Sequence, residues 1–166
     1  MSLPAPRRLP YRVCMVCLGN ICRSPIAAVV LAARVAEQAL PVLVDSAGTG
    51  SWHVGEQADP RARATLRRFG YDGEAHRARQ FDPSWFAELD LVLALDQTNL
   101  ADLRRLAPDP QARDRVHLLR SFDPSSPGEL AVPDPYYGDA AGFDETLAVV
   151  EAAVAGLVRE LRAALA

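Results

Sequence analysis

The sequence predicts an α/β domain in which parallel strands alternate with helices. Short apolar runs recur with helical stretches between them, and Gly, Pro or Asp punctuates each junction. Length sets the scale, because 166 residues make one ordinary domain with room for one substantial core. Tyr11 to Val16 is the first strand, and a loop holding Gly19 and Asn20 leads into a helical run from Pro25 to Leu40. Ser24 is the expected cap of that helix, with Pro25 as its first residue. The second strand, Val42 to Ser46, runs into Ala47-Gly48-Thr49-Gly50. Helical spacing resumes from Pro60 to Phe69, with Asp59 as cap and Gly70 at the left-handed position beyond it. Leu89 to Leu95 is an apolar run but for Asp90, fit for a central strand, Thr98 to Leu106 is amphipathic, and Val116 to Leu119 is the fourth strand. Arg120 to Gly142 reads as loop and Phe143 to Leu165 as a long closing helix, and no internal repeat interrupts the series.

Composition narrows the functional classes. With 49% hydrophobic and 23% charged residues the balance is that of a globular domain. A net charge of -3 supplies no electrostatic draw toward nucleic acid or an anionic membrane, so neither is expected as a partner. All 18 basic residues are Arg, which excludes lysine-dependent nucleotide binding and Schiff-base chemistry. Residues 1–10, with Pro4, Pro6 and Pro10 beside Arg7 and Arg8, lack the apolar run of a secretory signal and read as a disordered lead-in to a single domain over 11–166. The apolar stretch from Ile26 to Val44 is broken by Arg34, Glu37 and Pro41, too polar to span a bilayer. Cys14, Cys17 and Cys22 fall in one short segment, which points to thiol chemistry in a reducing, cytoplasmic setting rather than to a disulfide framework.

The chemistry is concentrated in Cys17-Leu18-Gly19-Asn20-Ile21-Cys22-Arg23-Ser24. A thiol ends a strand, and an Arg and a Ser follow where a helix begins. Successive backbone N–H groups in such a loop form a concave nest for an oxyanion, and the dipole of the following helix favours negative charge there. Arg23 adds a planar fork that matches two phosphate oxygens, which a lysine does not reproduce. The same positive field favours the thiolate form of Cys17, the form that attacks phosphorus. Gly19 and Asn20 suit a tight turn with positive φ.

The Cys-X5-Arg-Ser run near the N-terminus, joined with Asp134-Pro135-Tyr136-Tyr137 far downstream, resembles the low-molecular-weight protein tyrosine phosphatases. Asp45-Ser46-Ala47-Gly48, Trp52-His53-Val54-Gly55, His76-Arg77-Ala78-Arg79-Gln80 and the stretch from Asp96 to Leu100 extend the likeness over nearly the whole chain. The resemblance implies a three-layer α/β fold whose four-stranded parallel sheet has the flavodoxin-like order 2-1-3-4. It implies hydrolysis of phosphotyrosine in proteins, and of small aryl phosphates, through a phosphocysteine intermediate, with no metal and no cofactor. Cys17 is then the nucleophile, Arg23 the phosphate clamp and Asp134 the general acid. Leu18, Gly19, Asn20, Ile21, Cys22 and Ser24 form the phosphate-binding loop. Asn20, Ser24, Ser46 and His76 match positions of a supporting hydrogen-bond network, and Leu18, Trp52, Tyr136 and Tyr137 wall the substrate pocket. Tyrosine-phosphorylated proteins are the implied partners.

Plainer readings stand beside these. Cys14 and Cys17 make a Cys-X2-Cys pair, but no second ligand pair exists and His53, His76 and His117 are scattered, so Cys14 is assigned to the core. Asp134-Pro135 alone would be a turn, the three aromatics would be core, and His76 is read as structural. Arg61 to Arg68 and Arg104-Arg105 read as solvated faces. A thiol-dependent arsenate reductase is disfavoured because no Cys follows Cys22, and a non-catalytic phosphoanion-binding module would need neither thiol nor acid. Cys22 fits two roles: a resolving thiol that protects an oxidised Cys17 as a disulfide, or a small residue packing the loop.

Overall fold

The computed structural model describes residues 2–126, 128 and 130–166. Met1, in the expected lead-in, and Pro127 and Glu129, in the expected loop from Arg120 to Gly142, lie outside the described residues. The chain order is β1 (Tyr11–Cys17), α1 (Arg23–Glu37), β2 (Val42–Gly48), α2 (Pro60–Arg68), β3 (Leu91–Ala94), α3 (Gln97–Leu106), α4 (Pro110–Arg113), β4 (Val116–Leu118) and α5 (Ala140–Ala164). The four strands form one parallel sheet in the order β2-β1-β3-β4. That is the architecture and strand order expected above.

β1 is central, and its side chains alternate between two cores. Tyr11, Val13, Met15 and Cys17 face the layer formed with α1 and α5, where Ile26, Leu31, Phe143 and Leu157 are buried. Cys14 and Val16 face the other layer, with Phe81, Phe86 and Leu103. This two-residue period in a strand buried on both faces is why the run from Val13 to Cys17 is apolar. Burial pushes the Cys14 thiol up to about 12, in keeping with its place as an inert core residue.

Several boundaries differ from the expected ones for local reasons. α1 starts at Arg23 rather than Pro25, its N-cap is Cys22, and no side chain caps it. The Ser24 hydroxyl, expected as the cap, is turned inward to Asn20 and Cys17. Pro25 is tolerated inside the first turn because N–H groups there lack intrahelical partners anyway. At its other end α1 stops three residues short of Leu40. Leu40 N donates to Val35 O (3.0 Å) and Ala39 N to Ala36 O (3.1 Å), a Schellman closure with Ala39 at φ 53. A glycine would have announced that stop, and an alanine did not. Asp59 and Gly70 bracket α2 as expected, with Asp59 accepting from Arg61 N and Gly70 at φ 90.

The described part of the lead-in makes specific contacts. Tyr11 donates its hydroxyl to Pro4 O (2.9 Å), and Arg7 N donates to the buried Asp90 carboxylate (2.8 Å). Among the described residues, the region from Arg120 to Gly142 carries the short 3₁₀ turn Leu119–Phe122 at its start and the first residues of α5 at its end, so that the closing helix begins at Ala140, capped by Asp139, and not at Phe143. Gly156 in α5 crosses this turn so closely that a Cβ there would sit 1.8 Å from Phe122 O. Among the described residues no helix is long and apolar enough to cross a membrane.

Candidate active site

In the order 2-1-3-4 the chain leaves β1 in one direction for β2 and returns across it to β3. The crevice at the carboxyl end of β1 is therefore where a parallel sheet of this kind holds a ligand. Cys17 is the last residue of β1, and residues 18–22 loop from it to α1. Asn20 takes φ 59, the left-handed conformation its short polar side chain tolerates. Gly19, for which positive φ was also expected, has none. Its constraint is space, since a Cβ there would lie 3.1 Å from the His53 ring.

Asn20 is completely buried and holds the loop in place. Its Nδ2 donates to Ser24 Oγ (2.8 Å) and Ser46 Oγ (3.0 Å), and its Oδ1 accepts from Arg79 N (3.0 Å). His76 Nε2 donates to Asn20 O (2.7 Å), which settles the tautomer of the ring. Burial pushes the His76 imidazole below its ordinary value, against the pull of that carbonyl. Cys17 Sγ lies 2.9 Å from Ser24 Oγ and accepts from Asn20 N at 3.3 Å. The four residues expected as a supporting network are thus joined to one another and to the thiol. The end of β2 closes on the same loop, with Thr49 N donating to Cys17 O and Gly50 N to Leu18 O, both at 2.9 Å. Gly48 makes that approach possible, because a Cβ there would be 2.6 Å from Leu18 O.

Arg23 is buried, and two acidic side chains meet its guanidinium. Nη1 donates to Asp96 Oδ2 (2.8 Å) and to Val132 O (3.1 Å), and Nη2 lies 3.6 Å from Asp134 Oδ2. A guanidinium left unpaired at such depth is strongly unfavourable, so Asp96 has a clear electrostatic task. In the sequence Asp96 stands out only as the first residue of the stretch from Asp96 to Leu100, its place after an apolar strand being the available signal. Asp134, about half exposed, accepts from Tyr136 N (3.1 Å) and stands opposite the Cys17 loop. The two halves enclose a cavity of about 320 Å³ lined by Cys17, Leu18, Arg23, Trp52, Asp134 and Tyr136, with Tyr137 at its rim. Trp52 and Tyr137 are 70% and 93% exposed, which places them at the mouth and not in a core. Among the described residues no group of three His, Cys, Asp or Glu side chains is placed to hold a metal ion.

Residues 12–166 match the family model described as low molecular weight phosphotyrosine protein phosphatase. The chain belongs to that family. A low-molecular-weight protein-tyrosine-phosphatase of Streptomyces coelicolor is 57% identical over 157 residues, covering 93% of this chain and 95% of the relative. The Mycobacterium tuberculosis protein named low molecular weight protein-tyrosine phosphatase A is 47% identical over 151 residues, with coverages of 89% and 90%. Among solved structures, a protein tyrosine phosphatase from Entamoeba histolytica superposes with a TM-score of 0.87 at 34% identity, covering 92% of this chain and 97% of its own. As a low-molecular-weight phosphatase the chain is a hydrolase with a cysteine in its phosphate-binding loop.

Within this phosphatase the arginines of α2 depart from their expected role. Arg67 is solvated as expected, but Arg61 folds back over the ring of Phe143 (4.7 Å to its centroid) and Arg63 reaches Ala58 O and Glu74. Periodicity places a side chain on a helix face and says nothing about a loop that returns to meet it.

Proposed function

We propose that this phosphatase hydrolyses phosphotyrosine by double displacement, with Cys17, Arg23 and Asp134 acting together. The observation that carries the proposal is their convergence on one aromatic-walled cavity from segments over a hundred residues apart. Cys17 attacks phosphorus opposite the phenolic oxygen, the S–P bond forms, the P–O bond breaks, and Asp134 gives its proton to the departing oxygen. The loop N–H groups and the Arg23 fork hold the equatorial oxygens as charge redistributes. Water then attacks the phosphocysteine and gives a proton to Asp134, and inorganic phosphate leaves with the thiolate restored. Asn20, Ser24, Ser46 and His76 hold the loop in the shape this requires. Leu18, Trp52, Tyr136 and Tyr137 favour a flat aryl group on a tyrosine-phosphorylated protein, not a short serine ester.

A cytoplasmic location belongs to the same reading, supported by three free thiols in one segment. So does redox control, in which peroxide oxidises Cys17 to a sulfenic acid and the Cys22 thiol displaces water from it to give a disulfide. Burial, with Asp59, Cys17 and Asp134 nearby, holds the Cys22 thiol well above its ordinary value, leaving Cys17 as the sulfur that meets peroxide first. Peptide mapping after peroxide, with recovery by dithiothreitol in the parent but not in Cys22→Ser, tests this. Equal recovery with no Cys17–Cys22 bridge removes it.

The central test compares leaving groups. Asp134→Asn is expected to lower kcat/KM, which reports the steps through departure of the leaving group, by about 10²–10⁴-fold for phenyl phosphate and much less for p-nitrophenyl phosphate. Cys17→Ser is expected to bind vanadate and turn over nothing. A uniform loss in Asp134→Asn, or turnover in Cys17→Ser, contradicts the assignment.

A further inference from the structure

Asp134 sits on a segment, residues 130–139, without regular secondary structure, yet an acid must stand within hydrogen-bond reach of a leaving oxygen whose place is set by a different loop. Before Asp134 the segment is anchored, with Val132 N donating to Leu95 O (2.8 Å) and Thr146 Oγ1 to Pro133 O (3.2 Å). After it, the anchor is Arg61. Its Nη2 donates to Tyr136 O (3.0 Å) and its Nη1 to Gly138 O (3.2 Å), while the guanidinium lies against the Phe143 and Tyr136 rings. The remaining edge of the same guanidinium grips Asp59, Nε on Oδ1 at 3.1 Å and Nη2 on Oδ2 at 2.9 Å. Asp59 is nearly buried, and its own N–H donates to Ile21 O of the phosphate-binding loop at 2.8 Å.

These contacts make one continuous path from the nucleophile loop to the acid loop: Ile21, Asp59, Arg61, then Tyr136 and Gly138. We infer that Arg61 is a positioning residue for the general acid, a strut that sets the separation between the Cys17 loop and Asp134. The inference rests on the assignment of Asp134 as acid. Planarity is essential to the role, since a fork with five donors serves a carboxylate and two carbonyls at once while a lysine ammonium reaches one or two. Arg61 does not line the cavity around Cys17, so it acts through the loop and not on the substrate.

The test uses the whole chain and Arg61→Gln, Arg61→Lys and Asp134→Asn, alone and combined. With phenyl phosphate, kcat/KM of Arg61→Gln, which reports the steps through the first displacement and not the phosphocysteine hydrolysis common to both substrates, is expected to fall about 10–10²-fold, the scale of an acid displaced by about 1 Å. With p-nitrophenyl phosphate, whose leaving group needs little protonation, the fall is expected to stay below about 3-fold. In the Asp134→Asn background the same change should add less than about 2-fold, because no acid remains to be placed. Arg61→Lys should show the same leaving-group pattern at smaller size, and vanadate inhibition should be unchanged throughout. Losses equal for both substrates, or fully multiplicative with Asp134→Asn, overturn the strut. If Asp134→Asn itself shows no leaving-group dependence, the acid assignment falls and the strut with it, whereas dependence in Asp134→Asn without any in Arg61→Gln removes the strut alone. Should Arg61→Gln fold poorly with Asp59 left unpaired, Asp59→Asn/Arg61→Gln keeps the helix cap, carries no orphan charge and is read by the same criteria.

Discussion

Replacing Asn20 probes the element that gives the phosphate loop its shape. Asn20→Ala removes three side-chain hydrogen bonds, two to Ser24 and Ser46 and one from Arg79 N, at a site with no exposure. At about 1 kcal/mol per net hydrogen bond, the lost bonds amount to about 3 kcal/mol. The backbone at φ 59 adds about 1 kcal/mol, because alanine lacks the local polar contacts that let Asn adopt it. The expected total is about 3–4 kcal/mol. For a domain of 166 residues, at about 2–4 °C per kcal/mol, that is a fall in Tm of about 6–16 °C. Asn20→Gly relieves the backbone but restores no bond, so it should recover at most about 1 kcal/mol of this. Calorimetry gives both values, and vanadate inhibition reports whether the loop still binds. Stability of Asn20→Gly within about 0.5 kcal/mol of the parent would show that the hydrogen bonds contribute nothing, and the network would lose its role.

Gly156→Ala sets two effects in opposition: helix propensity favours alanine by about 1 kcal/mol, and the contact with Phe122 O disfavours it by about 1–3 kcal/mol or more. A lower Tm is expected, and a higher one would mean that α5 does not press on that turn. Ala39→Gly, at the exposed left-handed end of α1, should raise Tm by about 1–3 °C, since the relief of the backbone outweighs the added freedom of the unfolded chain. His76 is held neutral by burial, so its folded value lies below the ordinary 6.5. The unfolded chain then binds the proton first, and stability falls as pH drops below 6.5 until the folded group itself titrates. Tm scans of the parent and His76→Gln should diverge at pH 7 and narrow toward pH 5, and parallel curves would refute the coupling.

What was legible in the sequence is what local pattern encodes. β1 and β3 announced themselves by apolar runs, each interrupted by one charged residue near its start, Arg12 and Asp90, α2 by Asp59 and Gly70, and the reactive loop by spacing between Cys17 and Arg23. Ser24 misled because its residue type fits a helix cap, while tertiary contacts with Asn20 and Cys17 claimed its hydroxyl instead. Asp96 and Arg61 stayed hidden for a related reason. Each owes its role to a partner distant in the chain, Arg23 in one case and Tyr136 and Gly138 in the other, and no local period reports such a meeting.

The separation of the two catalytic halves has a consequence for the nascent chain. Arg23 and Val132, which touch in the finished site, are 109 positions apart. At about 5–20 residues per second, a ribosome exposes the nucleophile loop roughly 5–20 s before the acid segment that completes it. α5 must follow before Phe143 is present to seat Arg61 and close the core over β1. On the proposed assignment, translation itself withholds turnover: a growing chain carries a thiol with no acid beside it, and dephosphorylation begins only once the acid segment and α5 have emerged.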